Sequence, residues 1–148
     1  MDNKQIIAQL PYEKPFLFVD ELESVTEHGC IGYYTFNKTS FFYKGHFRGN
    51  PITPGVILTE CAAQIGVVCL GIYLMGVSVG TIDNVQIALS SHEMNFFIPV
   101  FPGETVRVRS EKEVFRFNKL KCKVYIYNRK QELVARGNIS GMLNQNKK

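Results

Sequence analysis

Two side chains able to move protons, His46 and Glu60, stand fourteen positions apart in the stretch "YKGHFRGNPITPGVILTECAAQ" (residues 43–64). An imidazole changes charge near neutral pH and can take a proton. A carboxyl set among Ile57, Leu58, Cys61, Ala62 and Ala63 has its pKa raised, so it can hold a proton and then donate it. Gly55 adds a third element, because an amide near a helix start has no intrahelical partner and glycine has no side chain to keep a ligand away. With the helix dipole behind it, that amide can polarise a carbonyl oxygen as negative charge develops there. Oxygen stabilisation, a base for the α-proton and an acid for a departing hydroxyl are what an elimination β to a carbonyl requires. The plainer alternatives are a loop histidine held by hydrogen bonds and a glutamate that caps or ion-pairs on a helix surface. The apolar neighbours of Glu60 fit the second alternative poorly.

These residues need elements to hold them. Thr53 before Pro54 reads as a helix start, the hydroxyl capping the first turn, proline at the first helical position and Gly55 at the second. The helix is expected to run to about Gly76, roughly 33 Å at ~1.5 Å per residue, and it is apolar nearly all round, so other elements must wrap it. Residues 3–10 read as a short amphipathic helix ended by Pro11, and residues 15–27 and 30–37 as a hairpin turning at Gly29. "KTSFFYKGHFRGNPI" (38–52) has too many aromatics for a solvated linker and reads as a structured loop. Strand composition returns at 81–89, 92–98, 104–115, 121–128 and 132–140, with strict alternation in "VRVRSE". Long antiparallel strands around one long helix give an α+β class, a curled sheet about a central helix. Its open edges invite pairing with a second copy.

At 148 residues and 45% hydrophobic, the chain fits one domain, with residues 143–148 a disordered tail. Seventeen Lys and Arg against thirteen Asp and Glu give +4, too mild an excess to indicate nucleic acid but suited to an acidic partner. Cys30, Cys61, Cys69 and Cys122 show no zinc spacing and read as reduced thiols in a cytoplasm. The N-terminus has no basic region leading into an apolar one, so no secretory signal is expected. "IGVVCLGIYLMGVSVG" (65–80) comes close to the length of a membrane span. Glu60 and Gln64 on one helical face before it, four glycines inside it and strands after it fit a helix buried in protein, with no membrane span.

Three blocks carry a resemblance to a known family. "LPYEKPFLFVDEL" (10–22) is similar to an "LPHRYPFLLVD" opening, "GHFRGNPITPGVILTECAAQ" (45–64) to a "GHFPGxPxMPGVLxxEAxAQ" signature, and "NFFIPVFPGE" (95–104) to "RFxxPVxPGD". In this order and spacing they resemble the 3-hydroxyacyl-acyl carrier protein dehydratases of fatty acid synthesis, members of the hot-dog fold superfamily. The resemblance implies His46 as catalytic histidine, Glu60 as catalytic carboxylate and Gly55 as the amide for the thioester carbonyl, with Phe47 and Val56 beside the substrate. It implies no metal and no cofactor. It further implies an acyl carrier protein as partner and a homodimer as the catalytic unit, the histidine of one subunit facing the carboxylate of the other, often gathered as a trimer of dimers. Arg48 in place of a proline, Thr53 in place of a methionine, and "SSHEMNF" (90–96) depart from the family pattern. A specialised polyene or polyketide-like pathway therefore stands beside housekeeping fatty acid synthesis. Two rival functions also remain: a thioesterase in which Glu60 activates water, and a non-catalytic acyl-binding partner of an active paralogue.

Overall fold

The computed structural model describes residues 1–79 and 85–145. Helix α1 (Asn3–Ala8) starts at Asp2, whose carboxylate accepts from the Gln5 amide while the Gln5 side chain answers the Asp2 amide. Strands β1 (Glu21–Thr26) and β2 (Gly29–Thr35) form the first hairpin. A 3-10 turn at Phe41–Lys44 leads to the central helix, built of α2 (Gly55–Ala63), a π-turn (Gln64–Val68) and α3 (Cys69–Val79). Four strands follow: β3 (Val85–Phe96), β4 (Thr105–Arg116), β5 (Lys119–Tyr127) and β6 (Leu133–Gln145). All six join one antiparallel sheet in the order β1-β2-β4-β5-β6-β3, curled about the helix.

The expected class is therefore found, with several boundaries corrected. Residues 15–20 are not strand, because their backbone groups bond to the central helix: the Phe18 amide and the Phe16 carbonyl pair with the Gln64 side chain, and the Phe18 carbonyl accepts from the Cys61 thiol. The stretches 81–89 and 92–98 are not two strands, since β3 runs on through the serines between them by a bulge between Leu89 and Ser91, which adds a residue without ending the ladder. Residues 81–84 of that expectation lie outside the described residues. The tail assignment also shortens, since β6 carries Leu143 to Gln145 into pairing with β3, while residues 146–148 lie outside the described residues.

Gly55–Gly76 is long and apolar enough to cross a membrane by length and composition, and 83% of its most apolar window is buried inside the protein. Apolar side chains at alternate positions of β4 and β5 (Val106 and Val108; Leu120, Cys122, Val124 and Ile126) close over it from the sheet. At the π-turn the helix lies close on the sheet. A Cβ at Gly66 would stand 3.0 Å from the Ser110 Cβ and 3.2 Å from Val124. The widened turn leaves the Gly66 carbonyl able to accept from the Ser110 hydroxyl at 2.8 Å, and the oxygen of that hydroxyl in turn accepts from the Cys30 amide at 3.1 Å. One hydroxyl thus ties the helix to both β2 and β4. Replacing Ser110 with alanine removes the acceptor for a buried amide and the donor to a buried carbonyl. Urea denaturation should show Ser110→Ala destabilised by about 1–3 kcal/mol with an unchanged m-value.

Candidate active site

The loop before the central helix is held by aromatic packing at its start and by a hydroxyl bond at its end. Phe42 meets Phe18 and Phe36, with ring centroids at 6.5 and 6.3 Å. Tyr43 is buried and its hydroxyl shares a 2.6 Å hydrogen bond with the Thr53 hydroxyl. This overturns the capping role expected for Thr53: a buried phenol needs a partner and takes that hydroxyl. Pro54 is the N-cap and Gly55 the first helical residue, so the helix begins one residue later than expected. The Ile57 and Leu58 amides turn back to the Pro54 carbonyl, while the Gly55 amide, ahead of them, lies at the positive end of the helix dipole.

His46 is fixed by a reciprocal pair of bonds with Ile52. The Ile52 amide donates to the His46 carbonyl at 3.0 Å, and the His46 ring, through Nδ1, meets the Ile52 carbonyl at 3.0 Å. A carbonyl can only accept, so Nδ1 carries the proton and Nε2 keeps its lone pair free. The ring stacks on Phe47 with centroids 4.3 Å apart. His46, Phe47 and Gly55 line one open pocket of about 410 Å³, walled by Leu58, Phe96 and Phe97. Phe96 lies against Gly55 so closely that a Cβ there would stand 3.2 Å from the ring. Any side chain at position 55 would press on the Phe96 ring.

Glu60 lies one and a half turns further along the helix and faces a different cavity, of about 40 Å³, lined with Tyr12, Val68, Ile87, Leu89 and Ser140. That volume admits water but not a long acyl chain. Burial raises the Glu60 pKa above the ordinary carboxylate range, and a hydrogen bond from Gln64 at 2.9 Å draws it partly back. Within one chain the structure thus unites His46, Phe47 and Gly55, and puts Glu60 in a neighbouring chamber. Val56 lines neither space and is 75% exposed.

Two further residues of the site escape the sequence reading. Gln64 is fully buried: its amide donates to Glu60 and to the Phe16 carbonyl, and its oxygen accepts from the Phe18 amide. The sequence already showed Gln64 four positions from Glu60 on one helical face, but gave it no part in the site. Tyr12, whose hydroxyl pKa is raised by burial first and by Glu60 next, belongs to the first of the three quoted blocks. Of the other histidines, His28 sits in the β1–β2 turn with its ring beside Glu27, and His92 is exposed on β3. Arg107 and Arg109 pair with Glu23 and Glu111 on the outer sheet face, while Lys44 and Arg48 are exposed. All four cysteines are buried and unpaired, and burial pushes the Cys30 and Cys122 thiols up to about 12, far from nucleophilic thiolates. Among the described residues no group of three or more His, Cys, Asp and Glu could hold a metal ion.

Residues 10–139 match the family model of the FabA-like domain. The chain belongs to the FabA-like family. A curated relative, the 3-hydroxyacyl-acyl-carrier-protein dehydratase FabZ of Anaplasma phagocytophilum, is 33% identical over 150 residues, 98% of this chain and 99% of the relative. Among solved structures, the dehydratase heterocomplex ApeI:P from Xenorhabdus doucetiae has a TM-score of 0.79 at 14% identity, covering 96% of this chain and 91% of its own. A hypothetical thioesterase with coenzyme A from Streptococcus pneumoniae has a TM-score of 0.60 at 12% identity, covering 86% and 88%. These two structural likenesses establish the hot-dog fold alone. Both a dehydratase and a thioesterase share it, so family membership rests on sequence.

The raised pKa of Glu60 in this FabA-like chain has a consequence for folding. A carboxyl whose folded pKa exceeds its unfolded value, near 4.5, stabilises the fold below that value and loses the contribution as pH rises through the folded pKa. Glu60→Gln carries no such loss and can still accept from Gln64. Its stability relative to wild type should therefore climb as pH rises from 4.5 and then level off, measured as urea midpoints over a pH series. A difference that stays flat with pH would contradict the burial described for Glu60.

Proposed function

We propose that this FabA-like chain is a hydro-lyase that removes water from a (3R)-3-hydroxyacyl thioester carried on acyl carrier protein, giving the trans-2-enoyl thioester in fatty acid or related lipid synthesis. The observation that carries the reading is the joint placement of His46 Nε2, free to accept a proton, and the Gly55 amide on one apolar pocket. The thioester carbonyl accepts from the Gly55 amide, and the helix dipole stabilises the enolate-like charge that forms there. His46 Nε2 takes the C2 proton. The electron pair forms the C2–C3 double bond as the C3–O bond breaks, and the protonated Glu60 gives its proton to the leaving hydroxyl, which departs as water. His46 then gives up its proton and Glu60 takes one, restoring the resting pair. Every step reverses, so hydration is catalysed as well.

Since Glu60 faces its own chamber within the chain, the reading has a second copy complete the site. What supports this is the free edge of β3, which pairs only with β6 among the described residues, and the apolar groups crowded beside it. Val56, Phe47, Phe97, Leu89 and Phe96 are 75%, 59%, 54%, 47% and 46% exposed. A partner strand laid against β3 covers them, joins the two chambers into one acyl tunnel and brings each His46 to the other chain's Glu60. A trimer of such dimers is the larger assembly, and the cytoplasm is the compartment.

The test is turnover of 3-hydroxyacyl-carrier-protein substrates of several lengths, with products read by mass spectrometry. His46→Ala and Glu60→Gln should each fall by at least about a hundredfold while remaining folded. Mixing the two dead variants after subunit exchange should restore part of the activity, because some heterodimers then carry one intact pair. Free acid and thiol as products would replace this reading with hydrolysis, and no restoration on mixing would place the acting His46 and Glu60 in the same chain.

A further inference from the structure

The hairpin joining β4 and β5 presents a surface that neither the sheet nor the proposed reaction uses. Its two turn residues, Phe117 and Asn118, stand at φ of 52° and 61° between the paired ends Arg116 and Lys119. Turns with two positive φ values draw asparagine, aspartate and glycine, for which the crowding is least. Asn118 obeys that rule and Phe117 does not. Nor does the Phe117 ring gain burial, being 88% exposed, so packing gives no reason for a bulky apolar residue at this tip.

Charge concentrates at the same place. Residues 111–123 hold Lys112, Arg116, Lys119, Lys121 and Lys123 against Glu111 and Glu113, a net +3 in a chain of +4. Because Leu120, Cys122 and Val124 point into the core, the alternating lysines of β5 point outward. Arg116, Lys119 and Lys121 line a shallow groove of about 350 Å³ together with Val114, Phe117 and Met142, and no carboxylate lines it. None of those three cations has an ion-pair partner among the described residues. The groove lies where Lys119 pairs with Met142, at the opposite end of the sheet from the His46 pocket, where Phe96 pairs with Ala135.

We propose that this hairpin tip docks the protein onto an anionic lipid surface. Arg116, Lys119 and Lys121 take headgroup phosphates, and Phe117 with Met142 enters the apolar layer beneath. A membrane interface is charged at its surface and apolar a few ångströms deeper, the same order in which this tip presents its cations and its ring. Long lysine and arginine stems can reach back to the headgroups while the tip descends. An acidic protein would satisfy the cations, but it would also need a pocket shaped for a protruding ring, whereas lipid accepts the ring in any orientation. The inference does not depend on the dehydratase reading, and failure of either leaves the other standing.

Full-length protein is sedimented with vesicles of phosphatidylglycerol mixed into phosphatidylcholine, and with phosphatidylcholine alone. Binding is expected to the anionic vesicles only, weakening as salt rises. Lys119→Glu with Lys121→Glu should reduce partition by about thirtyfold or more. Phe117→Asn should weaken it too while raising the melting temperature, since asparagine suits the turn. Arg129→Glu with Lys130→Glu, exposed in the β5–β6 loop, makes the same change in net charge and should bind far better than the hairpin pair. The chain has no tryptophan, so Phe117→Trp is a single reporter whose emission should shift to the blue on anionic vesicles. Absence of vesicle binding, equal loss in the two charge-reversed variants, or an unshifted emission from the Phe117→Trp variant would overturn the proposal. Hairpin-dependent binding to acyl carrier protein without vesicle binding would likewise assign the surface to a protein partner instead.

Discussion

One buried amide holds the molecule's chemistry together. Gln64 has no exposed surface, and burying an uncompensated amide costs several kcal/mol in the worst case, so its hydrogen bonds determine what can surround it. Its oxygen faces the Phe18 amide and its nitrogen faces both the Phe16 carbonyl and Glu60. The N-terminal segment is thereby held against the helix rather than in the sheet. The carboxyl of Glu60 is held at a fixed point in surroundings that favour its protonated form. Among the described residues no buried side-chain polar atom lacks a partner, so this economy extends through the interior.

The helix that carries Gln64 imposes a second constraint, because an apolar surface all round can only be satisfied by enclosure. The curled sheet supplies that enclosure, and glycine at positions such as 66 lets the backbone of the helix lie directly on the strands. The π-turn at this crossing is where the helix departs from regularity, and it is also where Ser110 bonds it to the sheet. Enclosure stops at β3. Leu89 and Phe96 on that strand and Phe97 just after it are left without cover, and they line the Glu60 cavity and the His46 pocket.

Much of this was legible in the residues. Hydrophobic patterning and the proline before the helix located the central helix and most strands, and the match of three blocks pointed to the fold and family. The errors share a cause. Residues 15–20 have strand composition, but their hydrogen bonds go to a side chain forty-six positions away, and no local pattern reports that. Thr53 looks like a cap until the buried Tyr43 hydroxyl claims it. The serines at 90 and 91 look like a break, yet a bulge absorbs them because the ladder with β6 continues on both sides. Within the site, types and spacing gave His46, Glu60 and Gly55, while the separation of Glu60 into its own chamber depends on how the helix is turned in the sheet.

The doubled bond between His46 and Ile52 gives the ring a fixed polarity. With Nδ1 committed to a carbonyl, the imidazole cannot pass a proton through itself from one nitrogen to the other and out to solvent. It is a terminus for protons, not a relay. If His46 is the base proposed above, whatever Nε2 receives must leave from Nε2. In the proposed reaction, a base of this kind favours returning the proton to the carbon that lost it over exchanging it with water. The short loop between His46 and Ile52 therefore sets the traffic of hydrogen as well as the position of a ring.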